Sequence, residues 1–558
     1  MPSVPPSTDP IRAPAPATDA ALRAARRLDW RFLLDDHRLA DVLVVGEAEP
    51  GLVAALTTAA LAASVSLAPD PARVAAHSAD VVVAGRPHDR ALPAAAAAVR
   101  PGGWVVAEVP GPVWRAGRRW RRDGFGVARR AIRRLRRRDI DTLDAYLVWP
   151  AHDAATALAP LDRPAAIAAL LERRAPARIR SAVGRLTPLA VTSGLATLVA
   201  PAVTIVAHRR LAAGDAGRAR RFGATGDTTI PRRIREVTGD HGTPSVGPDD
   251  PVLLLTPRYR ASSHVVALVL DASTRLPRLV AKAARLPSSH ALEREAAALA
   301  ALADTLGAAG LAPRLVGFDP VGDPPMLVET GLPGRPLTPD AVRADRAVAA
   351  AAVADFAAAL PVGNDRDGSA FKRLVEPALA GLGAALADDP RDRTHLERTA
   401  AIVAPLRSAR LPHVLEHGDL AHPNLLLGPG NRLAAVDWER SEPRGLPLHD
   451  LVVGLAYVAG AAEGARLPDE AAAAFAQAVA GPDGWAGPIL DTELERLGID
   501  PALRLPLIVV PWLRTAAWLA AHLGGPEGAG EGDWKAWLRM DRSVALWRAT
   551  LGLAREAR

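Results

Sequence analysis

Residues 417–427 read His417-Gly418-Asp419-Leu420-Ala421-His422-Pro423-Asn424-Leu425-Leu426-Leu427. In this stretch an aspartate precedes an asparagine by five residues, and an apolar run follows. The spacing suits a loop in which a carboxylate meets a substrate hydroxyl while an amide oxygen reaches a metal ion on bound phosphates. Asp419 and Asn424 are therefore the first candidates for a chemical role.

A second carboxylate stands thirteen residues after Asn424, where Val436-Asp437-Trp438-Glu439 ends a predicted apolar strand. Oxygen ligands from Asn424 and Asp437 suit Mg²⁺, which takes few protein ligands and otherwise uses phosphate oxygens and water. The two segments together indicate transfer of a phosphoryl group.

Lysine is rare in this chain, with Lys282, Lys372 and Lys535 as the only three among 68 basic residues. A lysine that is kept against such a bias is one that arginine does not replace, because an ammonium is compact and a guanidinium is a planar fork. Lys282 ends the third predicted strand of the C-terminal half, and Glu295 lies in the helix predicted next. A strand lysine paired with a helix glutamate resembles the pair that holds the α- and β-phosphates of the nucleotide in protein kinases.

These motifs resemble the aminoglycoside phosphotransferase and choline kinase family, which shares the protein-kinase-like fold. The family writes its catalytic loop as H-G-D-x-x-x-x-N and its metal aspartate as D-[FWY]-[ED], and both patterns stand here nearly unaltered. The resemblance implies that Asp419 is the catalytic base or hydroxyl anchor, and that Asn424 and Asp437 are ligands of Mg²⁺. It also implies that His417 and Asp450 support the site, Asp450 by bracing the catalytic loop through buried hydrogen bonds.

The resemblance covers about residues 250–550 and implies ATP as the phosphoryl donor. Residues 326–331 look like the hinge whose backbone binds adenine, which assigns cofactor contacts to Val328, Glu329 and Gly331. The acceptor is expected to be a hydroxyl of a small, polar molecule that the sequence does not identify.

Three apolar runs of the N-terminal half alternate with helical patterns, at 42–46, 80–85 and 104–109. The alternation predicts a parallel, doubly wound, Rossmann-like sheet. With the R-P-G-G turn at 100–103, these runs resemble class I S-adenosylmethionine-dependent methyltransferases. The loop at 46–51 departs from the family's G-x-G-x-G pattern by placing bulk where glycine is needed. This departure favours a degenerate, non-catalytic domain over one that binds S-adenosylmethionine.

The net charge of +7 is local, because residues 111–140 hold twelve arginines and two aspartates. The cluster from Arg115 to Arg138 permits three interpretations, in decreasing order of preference: a solvated helix face, a docking site for an anionic membrane surface, and a nucleic-acid patch. The uncharged stretch at 186–207 is long enough to span a bilayer. Prolines and a glycine interrupt that stretch, and its end at 202–207 predicts a buried strand instead.

A chain of 558 residues exceeds what one hydrophobic core supports, so several domains are expected. The fold class is α/β and α+β: a Rossmann-like doubly wound domain followed by a bilobal, protein-kinase-like phosphotransferase domain with a helical C-terminal lobe. The predicted organisation is a disordered leader at 1–20, the Rossmann-like domain at 21–208, a linker at 209–250, an N-lobe at 251–335 and a C-lobe at 336–558.

Cysteine is absent from the chain, which excludes disulfides, zinc–thiolate sites and thiol nucleophiles and fits a cytoplasmic location. The favoured function is an ATP-dependent small-molecule phosphotransferase. Two alternatives stay open: a bifunctional methyltransferase and kinase of a natural-product or cell-envelope pathway, and an inactive membrane-associated scaffold. The oligomeric state is not predicted.

Overall fold

The structure is a computed structural model. It describes residues 19–47, 49–58, 62–85, 90–110, 127–136, 140–174, 177–193, 195–196, 200–209, 228–239, 246–247, 249–257, 263–286, 290–481, 484–524 and 534–556.

One mixed sheet runs through the N-terminal half and into the C-terminal half. Its twelve strands in the described part of the chain are β1 Leu39–Val45, β2 Ala62–Ala68, β3 Ala79–Ala84, β4 Val99–Pro110, β5 Ile140–Trp149, β6 Ala157–Pro160, β7 Ala202–Arg209, β8 Val252–Leu255, β9 His264–Leu270, β10 Pro277–Ala284, β11 Leu315–Asp319 and β12 Met326–Thr330. Their order across the sheet is β11-β12-β10-β9-β8-β6-β5-β7-β4-β3-β1-β2.

The N-terminal edge of the sheet is parallel and the rest is antiparallel. Strands β2, β1, β3 and β4 are parallel neighbours, and each later neighbouring pair is antiparallel. The three apolar runs that the sequence predicts as strands are β1, β3 and β4, and the predicted strand at 202–207 lies within β7. Such runs are apolar throughout because parallel strands are buried on both faces.

Helices cover the sheet and build the C-terminal part of the molecule. They are α1 Asp19–Arg27, α2 Pro50–Thr58, α3 Ala91–Ala98, α4 Val127–Leu135, α5 Pro164–Arg174, α6 Ala177–Thr192, α7 Thr229–Thr238, α8 His290–Leu302, α9 Pro339–Ala344, α10 Arg346–Ala359, α11 Glu376–Leu386, α12 Pro390–Val403, α13 His449–Ala462, α14 Pro468–Ala480, α15 Ala486–Leu497, α16 Arg504–Gly524, α17 Trp534–Arg539 and α18 Arg542–Glu556. Helices α1 and α2 pack on one face of the parallel strands, and α3 and α5 pack on the other.

The two halves of the chain share this sheet, because β6 pairs with β8 through Ala157 with Leu255 and Leu158 with Leu254. The apolar clusters on both faces also cross the junction. One contains Val106 and Leu158 together with Leu254 and Val269, and the other contains Leu253 and Leu268 together with strands of the N-terminal half. The N-lobe of the kinase-like part is therefore continuous with the N-terminal sheet.

Helix α7 lies inside the segment that the sequence predicts as a linker. Its Ile230 and Ile234 are buried, and it packs against β11 and β12. The Arg233 guanidinium donates to Asp319 on β11 at 2.7 Å. The linker prediction did not include this helix, because 209–250 shows no apolar periodicity over a long window.

A short 3₁₀ helix, Asp29–Leu33, lies near the start of the N-lobe strands. The Arg285 guanidinium, just after β10, donates to both carboxylate oxygens of Asp29, with Nε–Oδ1 at 2.9 Å and Nη2–Oδ2 at 2.8 Å. Both side chains are buried. A buried ion pair thus joins the N-terminal region to the strand that carries Lys282.

The C-terminal lobe is helical around two small sheets, whose strands are β13 Arg335–Pro336, β14 Val362–Asp367, β15 Leu411–Glu416, β16 Leu425–Leu427, β17 Leu433–Ala435 and β18 Glu442–Gly445. Its core also receives the buried face of α8. Among the described residues, the single segment long and apolar enough to cross a membrane is Pro501–Gly524, and 56% of its apolar window is buried inside the protein.

Three predicted segments are described by the structure only in part or differ from the prediction. The stretch at 186–207 does not form one span, because α6 ends at Thr192 and β7 begins at Ala202. Of the cluster from Arg115 to Arg138, residues 127–136 are described, and most of them form α4. The rest of that cluster, and the leader up to residue 18, lie outside the described residues.

Candidate functional site

Lys282 contacts two carboxylates in the cleft between the N-lobe and the C-lobe. Its Nζ donates to Glu295 Oε1 and Oε2 at 2.7 Å each, and to Asp437 Oδ1 at 2.7 Å. The Glu295 side chain is fully buried, and it also accepts a hydrogen bond from the Trp438 N–H at 3.0 Å. Residues from β10, α8 and the segment after β17 therefore meet at one point, as the sequence predicts for Lys282, Glu295 and Asp437.

The electrostatics of this cluster favour its charged form. Burial lowers the pKa of Lys282, but the neighbouring Asp437 and Glu295 carboxylates outweigh it and raise that pKa well above its ordinary value. Burial acts in the opposite direction on Asp437, and the nearby Lys282 ammonium lowers the pKa of this carboxyl to about 2. Asp437 is therefore an anion at neutral pH. Its φ of 73° is in the left-handed region, where aspartate is among the tolerated residues.

The predicted catalytic loop at 417–424 is held in place by Asp450 at the start of α13. The Asp450 carboxylate accepts the His417 N–H at 2.6 Å and the Gly418 N–H at 3.0 Å. The His417 ring donates from Nε2 to the Val436 carbonyl at 3.0 Å and accepts the Asp419 N–H at Nδ1 at 3.2 Å. Gly418 has a φ of 82°, and a Cβ there would collide with the Arg440 carbonyl. These contacts position Asp419.

Asp419 and Asn424 lie at the open side of the cleft. The Asn424 amide donates from Nδ2 to the Asp419 carbonyl at 3.1 Å and to Asp419 Oδ2 at 3.2 Å. This orientation leaves the amide oxygen of Asn424 for a cation. The described residues contain no group of three or more His, Cys, Asp or Glu side chains that could hold a metal ion. A two-oxygen site from Asn424 and Asp437 fits Mg²⁺, which completes its shell with phosphate and water, rather than a metal held by protein alone.

Comparison with known proteins matches this part of the chain to one family. Residues 259–487 match the family described as "Phosphotransferase enzyme family". They include Lys282, Glu295, the catalytic loop and Asp437. The match confirms the predicted family resemblance for this part of the chain.

Solved structures similar to the phosphotransferase part have low identity. They include the choline kinase LicA from Streptococcus pneumoniae (13% identity, 59% of this chain and 100% of that chain covered, TM-score 0.35). A Plasmodium vivax ethanolamine kinase shares 12% identity over 58% of this chain and 87% of its own, with a TM-score of 0.35. The aminoglycoside phosphotransferase APH(4)-Ia, in complex with ADP and hygromycin B, shares 13% identity over 58% of this chain and 99% of its own, with a TM-score of 0.36. No curated protein sequence matches the chain.

The family match does not include the N-terminal half. The resemblance of that half to methyltransferases is not shown, and it stays a prediction. The assignment of the phosphotransferase part rests on the family match and on the geometry of its own residues.

The residues predicted to contact adenine lie in β12 and directly after it. Val328 lies in the middle of β12, paired with Ala281 on one side and Gly317 on the other. The Gly331 N–H donates to the Arg278 carbonyl at 3.0 Å, and a Cβ at Gly331 would collide with Pro277. The backbone of Val328 and the N–H of Gly331 are therefore already paired within the protein.

Glu329 turns its side chain into the protein beside the Lys282 cluster. It is 1% exposed, and its Oε2 makes no hydrogen bond within the described part of the chain. Burial raises the pKa of its carboxyl to about 8. The first backbone N–H after β12 that has no hydrogen-bond partner among the described residues belongs to Leu332, which the sequence reasoning did not single out. The alternation of side chains along a strand does not show where its backbone hydrogen bonding to neighbouring strands ends.

A second group missed by the sequence reasoning supports the loop from the C-lobe. Glu416, the residue before His417, accepts two hydrogen bonds from Arg514 of α16, at 2.7 and 2.8 Å. Arg514 also donates to His449 Nδ1 at 3.1 Å. Glu416 and His449 are buried. No local motif reveals this group, because its members are separated by up to 98 residues.

Arg440 lies beside Asp419 and packs against Trp518 of α16. The Arg440 Nη1 lies 3.8 Å from Asp419 Oδ1, and its guanidinium stacks over the Trp518 ring at 4.2 Å from the centroid. Arg440 directly follows the Asp437-Trp438-Glu439 motif, so its position near the motif was available from the sequence. Its pairing with Trp518 was not.

Proposed function

We propose that the phosphotransferase part of this protein transfers the γ-phosphoryl group of ATP to a hydroxyl of a small molecule. The observation that carries the proposal is the buried Lys282, which contacts Glu295 and Asp437 together at 2.7 Å. This ammonium is fixed inside the cleft, where it can neutralise phosphate oxygens. Such catalysis consists mostly of positioning and charge neutralisation.

Each residue at this site has one task in the proposed reaction. Lys282, held by Glu295, binds the α- and β-phosphates, and the peptide from Gly331 to Leu332 meets the adenine. Asn424 and Asp437 hold Mg²⁺, which when bound supplies positive charge to the phosphates.

Asp419 receives the proton of the acceptor hydroxyl. The acceptor oxygen then forms a bond to the γ-phosphorus, the bond between that phosphorus and the β,γ-bridging oxygen breaks, and ADP leaves. Asp450 and His417 keep the Asp419 carboxylate in place during this exchange.

The test is the variant Asp419→Asn, which keeps the shape of the side chain and removes the base. We expect turnover of ATP in the presence of an acceptor to fall by roughly 10²–10⁴-fold, because a positioned base contributes about that much. The dissociation constant for ATP, measured by calorimetry, should stay within about twofold. Asp469→Asn, at an exposed helix start, is the matched control. Full turnover by the Asp419 variant contradicts the proposal.

The N-terminal half is proposed to be a Rossmann-like structural unit without a methyltransferase activity. Ligands of parallel sheets bind at the carboxyl ends of the strands, and here that edge is occupied by the protein itself. The Glu49 carboxylate accepts the N–H groups of Gly51 and Leu52 at the start of α2, at 2.8 and 3.1 Å. Arg27 joins Glu49 to Glu108 at the end of β4, at 3.2 and 2.6 Å. Calorimetry with millimolar S-adenosylmethionine should show no binding, and saturable binding would restore the methyltransferase hypothesis.

A further inference from the structure

We propose that the phosphoryl acceptor carries an anionic group next to its reacting hydroxyl, and that Arg440 binds this group. The inference rests on the proposed phosphotransfer and adds the chemical class of the acceptor. It depends on four observations: the unused donors of Arg440, its stacking on Trp518, its position relative to Asp419, and the pairing of the surrounding carboxylates.

Arg440 is a half-buried cation whose donors are not used. Its side chain is 17% exposed, yet its guanidinium makes no hydrogen bond to any described residue. A guanidinium carries five N–H donors in a fixed fork that matches a carboxylate or a phosphate. Its one ionic neighbour among the described residues, Asp419 Oδ1, lies at 3.8 Å, which is beyond hydrogen-bond distance. The fork is therefore available to a ligand.

Trp518 fixes the plane of this fork. The Arg440 guanidinium carbon lies 4.2 Å from the centroid of the Trp518 ring. Trp518 in turn stacks on His522, with ring centroids 5.5 Å apart and an interplanar angle of 4°. Stacking holds the face of the guanidinium and leaves its N–H edge open. Trp518 is also 39% exposed, which leaves part of its ring to contact an acceptor.

The position of Arg440 points to the acceptor rather than to the nucleotide. Asp419 presents Oδ2 to Asn424, on the side where the phosphates and Mg²⁺ would lie. It presents Oδ1 to Arg440, which stands against α16 of the C-lobe. The Asp419 side chain is 45% exposed between them. An acceptor whose hydroxyl reaches Asp419 from this open side meets the guanidinium of Arg440.

Two carboxylates close in the chain to Asp419 and Arg440 are already paired. Arg373 Nη1 donates to Glu442 at 2.9 Å, and Arg514 pairs with Glu416 at 2.7 Å. A cationic acceptor would therefore be repelled by Arg440, and neither of these two carboxylates is free to offset that repulsion. An anionic acceptor would be repelled by Asp419 alone but attracted by Arg440 beside it. The balance favours an acceptor with a carboxylate or phosphate group.

The experiment compares matched acceptors that differ only in charge. The full-length protein is assayed for ADP release with two series: glycerol, glycerate and 3-amino-1,2-propanediol, then glucose, glucuronate and glucosamine. In any series that is phosphorylated, we expect the anionic member to have at least a tenfold higher kcat/KM. Arg440→Gln should remove this preference through KM rather than through kcat. The matched control is Arg407→Gln, since Arg407 also stacks on an aromatic ring, Phe371, and its side chain is 61% exposed.

Three results would overturn the inference: preference for the neutral or cationic member, a preference that survives in Arg440→Gln, or an equal loss of kcat for every acceptor. The last result would place Arg440 on the transferred phosphoryl group instead. Thermal unfolding of each variant checks that it is folded, and Arg440→Lys gives a second variant that keeps the charge but loses the fork. Failure of the proposed phosphotransfer gives a different result from failure of this inference. ADP release would then be absent with every acceptor or unaffected by Asp419→Asn, and the inference about the acceptor would fail as well.

Discussion

Lys282 shows how composition and geometry support each other at the scale of one residue. A chain that uses arginine almost everywhere keeps a lysine at a position where Nζ contacts both oxygens of Glu295 and one of Asp437. The pocket around it is closed, because Lys282 and Glu295 are buried. A guanidinium is wider and planar, so it cannot occupy this point and keep three contacts.

We therefore expect Lys282→Arg to lower kcat/KM for ATP by roughly 10²-fold, the usual cost of removing one fixed charge-stabilising donor. Steady-state kinetics with ATP as the varied substrate measure this. Lys535→Arg is the matched control, since Lys535 pairs with Asp388 at the surface at 3.2 Å. Equal activity of the Lys282 variant would mean that the ammonium does not bind the phosphates.

His449 gives a second prediction at this scale, which concerns pH. Burial, together with Arg514, lowers its pKa to about 4, although Glu416 acts in the opposite direction. Its ordinary pKa is about 6.5, so between these values the unfolded chain binds a proton that the folded protein does not. The free energy of unfolding should therefore fall as pH decreases through 6.5, by roughly 1 kcal/mol from this residue between pH 7.5 and 5.5.

Denaturant unfolding of the wild type and of His449→Gln at the two pH values measures this difference. The variant should lose roughly 1 kcal/mol less than the wild type on acidification, even if its stability at pH 7.5 is lower. His290→Gln, at an exposed histidine, should keep the wild-type dependence. The same slope in the wild type and in His449→Gln would contradict the prediction.

At the scale of elements, the 3₁₀ helix Asp29–Leu33 is attached to the end of β10. Arg285 donates to Asp29 and also to the Pro257 carbonyl at 3.1 Å, and its own carbonyl accepts from Arg31 at 2.5 Å. Its N–H donates to the Ser263 carbonyl at 2.9 Å. The pair therefore connects the N-terminal region to both ends of the turn between β8 and β9.

Asp29→Asn would leave the buried Arg285 charge without its partner. We expect a loss of about 3–5 kcal/mol in the free energy of unfolding, the usual cost of breaking a buried pair from one side. Denaturant unfolding of the full chain measures it. Asp340→Asn removes an exposed pair with Arg343 and should cost less than about 1 kcal/mol. A similar small loss for both variants would show that the Asp29–Arg285 pair does not hold the elements together.

At the scale of the whole molecule, the boundary that the sequence predicts at residue 251 falls inside a shared sheet. Removing residues 1–250 would expose the edge of β8 and uncover apolar side chains such as Leu254, which is 2% exposed. An unpaired, apolar strand edge promotes aggregation. Arg285 would also lose Asp29.

We predict that residues 251–558 produced alone are insoluble or lack a cooperative thermal transition. Co-production with residues 1–250 should restore solubility and cooperative unfolding. Size-exclusion chromatography and scanning calorimetry against the full chain test this. A monomeric, cooperatively unfolding 251–558 chain that binds ATP would instead support two independent domains.

Much of the candidate site was predictable, because its signals are local. The pattern at 417–424, the aspartate of Asp437-Trp438-Glu439 and the conspicuous Lys282 each lie within a few residues of sequence, and backbone spacing along a loop or strand limits where such side chains can lie. The strands β1, β3 and β4 were predictable for the same reason, since a continuous apolar run specifies its own burial.

Several features of the site depend on residues far apart in the chain, and these followed from the fold. These features are the position of the Glu329 side chain beside Lys282, the pairing of β6 with β8, and the stacking of Arg440 on Trp518. Another is the N–H of Leu332, which is the first after β12 without a hydrogen-bond partner among the described residues. The physical reason is that a short sequence pattern gives the period of an element but not its partner. Pairing edges, the ends of ladders and contacts between lobes are set by the packing of the whole core. Local sequence patterns therefore specify the groups that we propose to bind phosphate, and the fold places Arg440 on the side of Asp419 from which we propose that the acceptor binds.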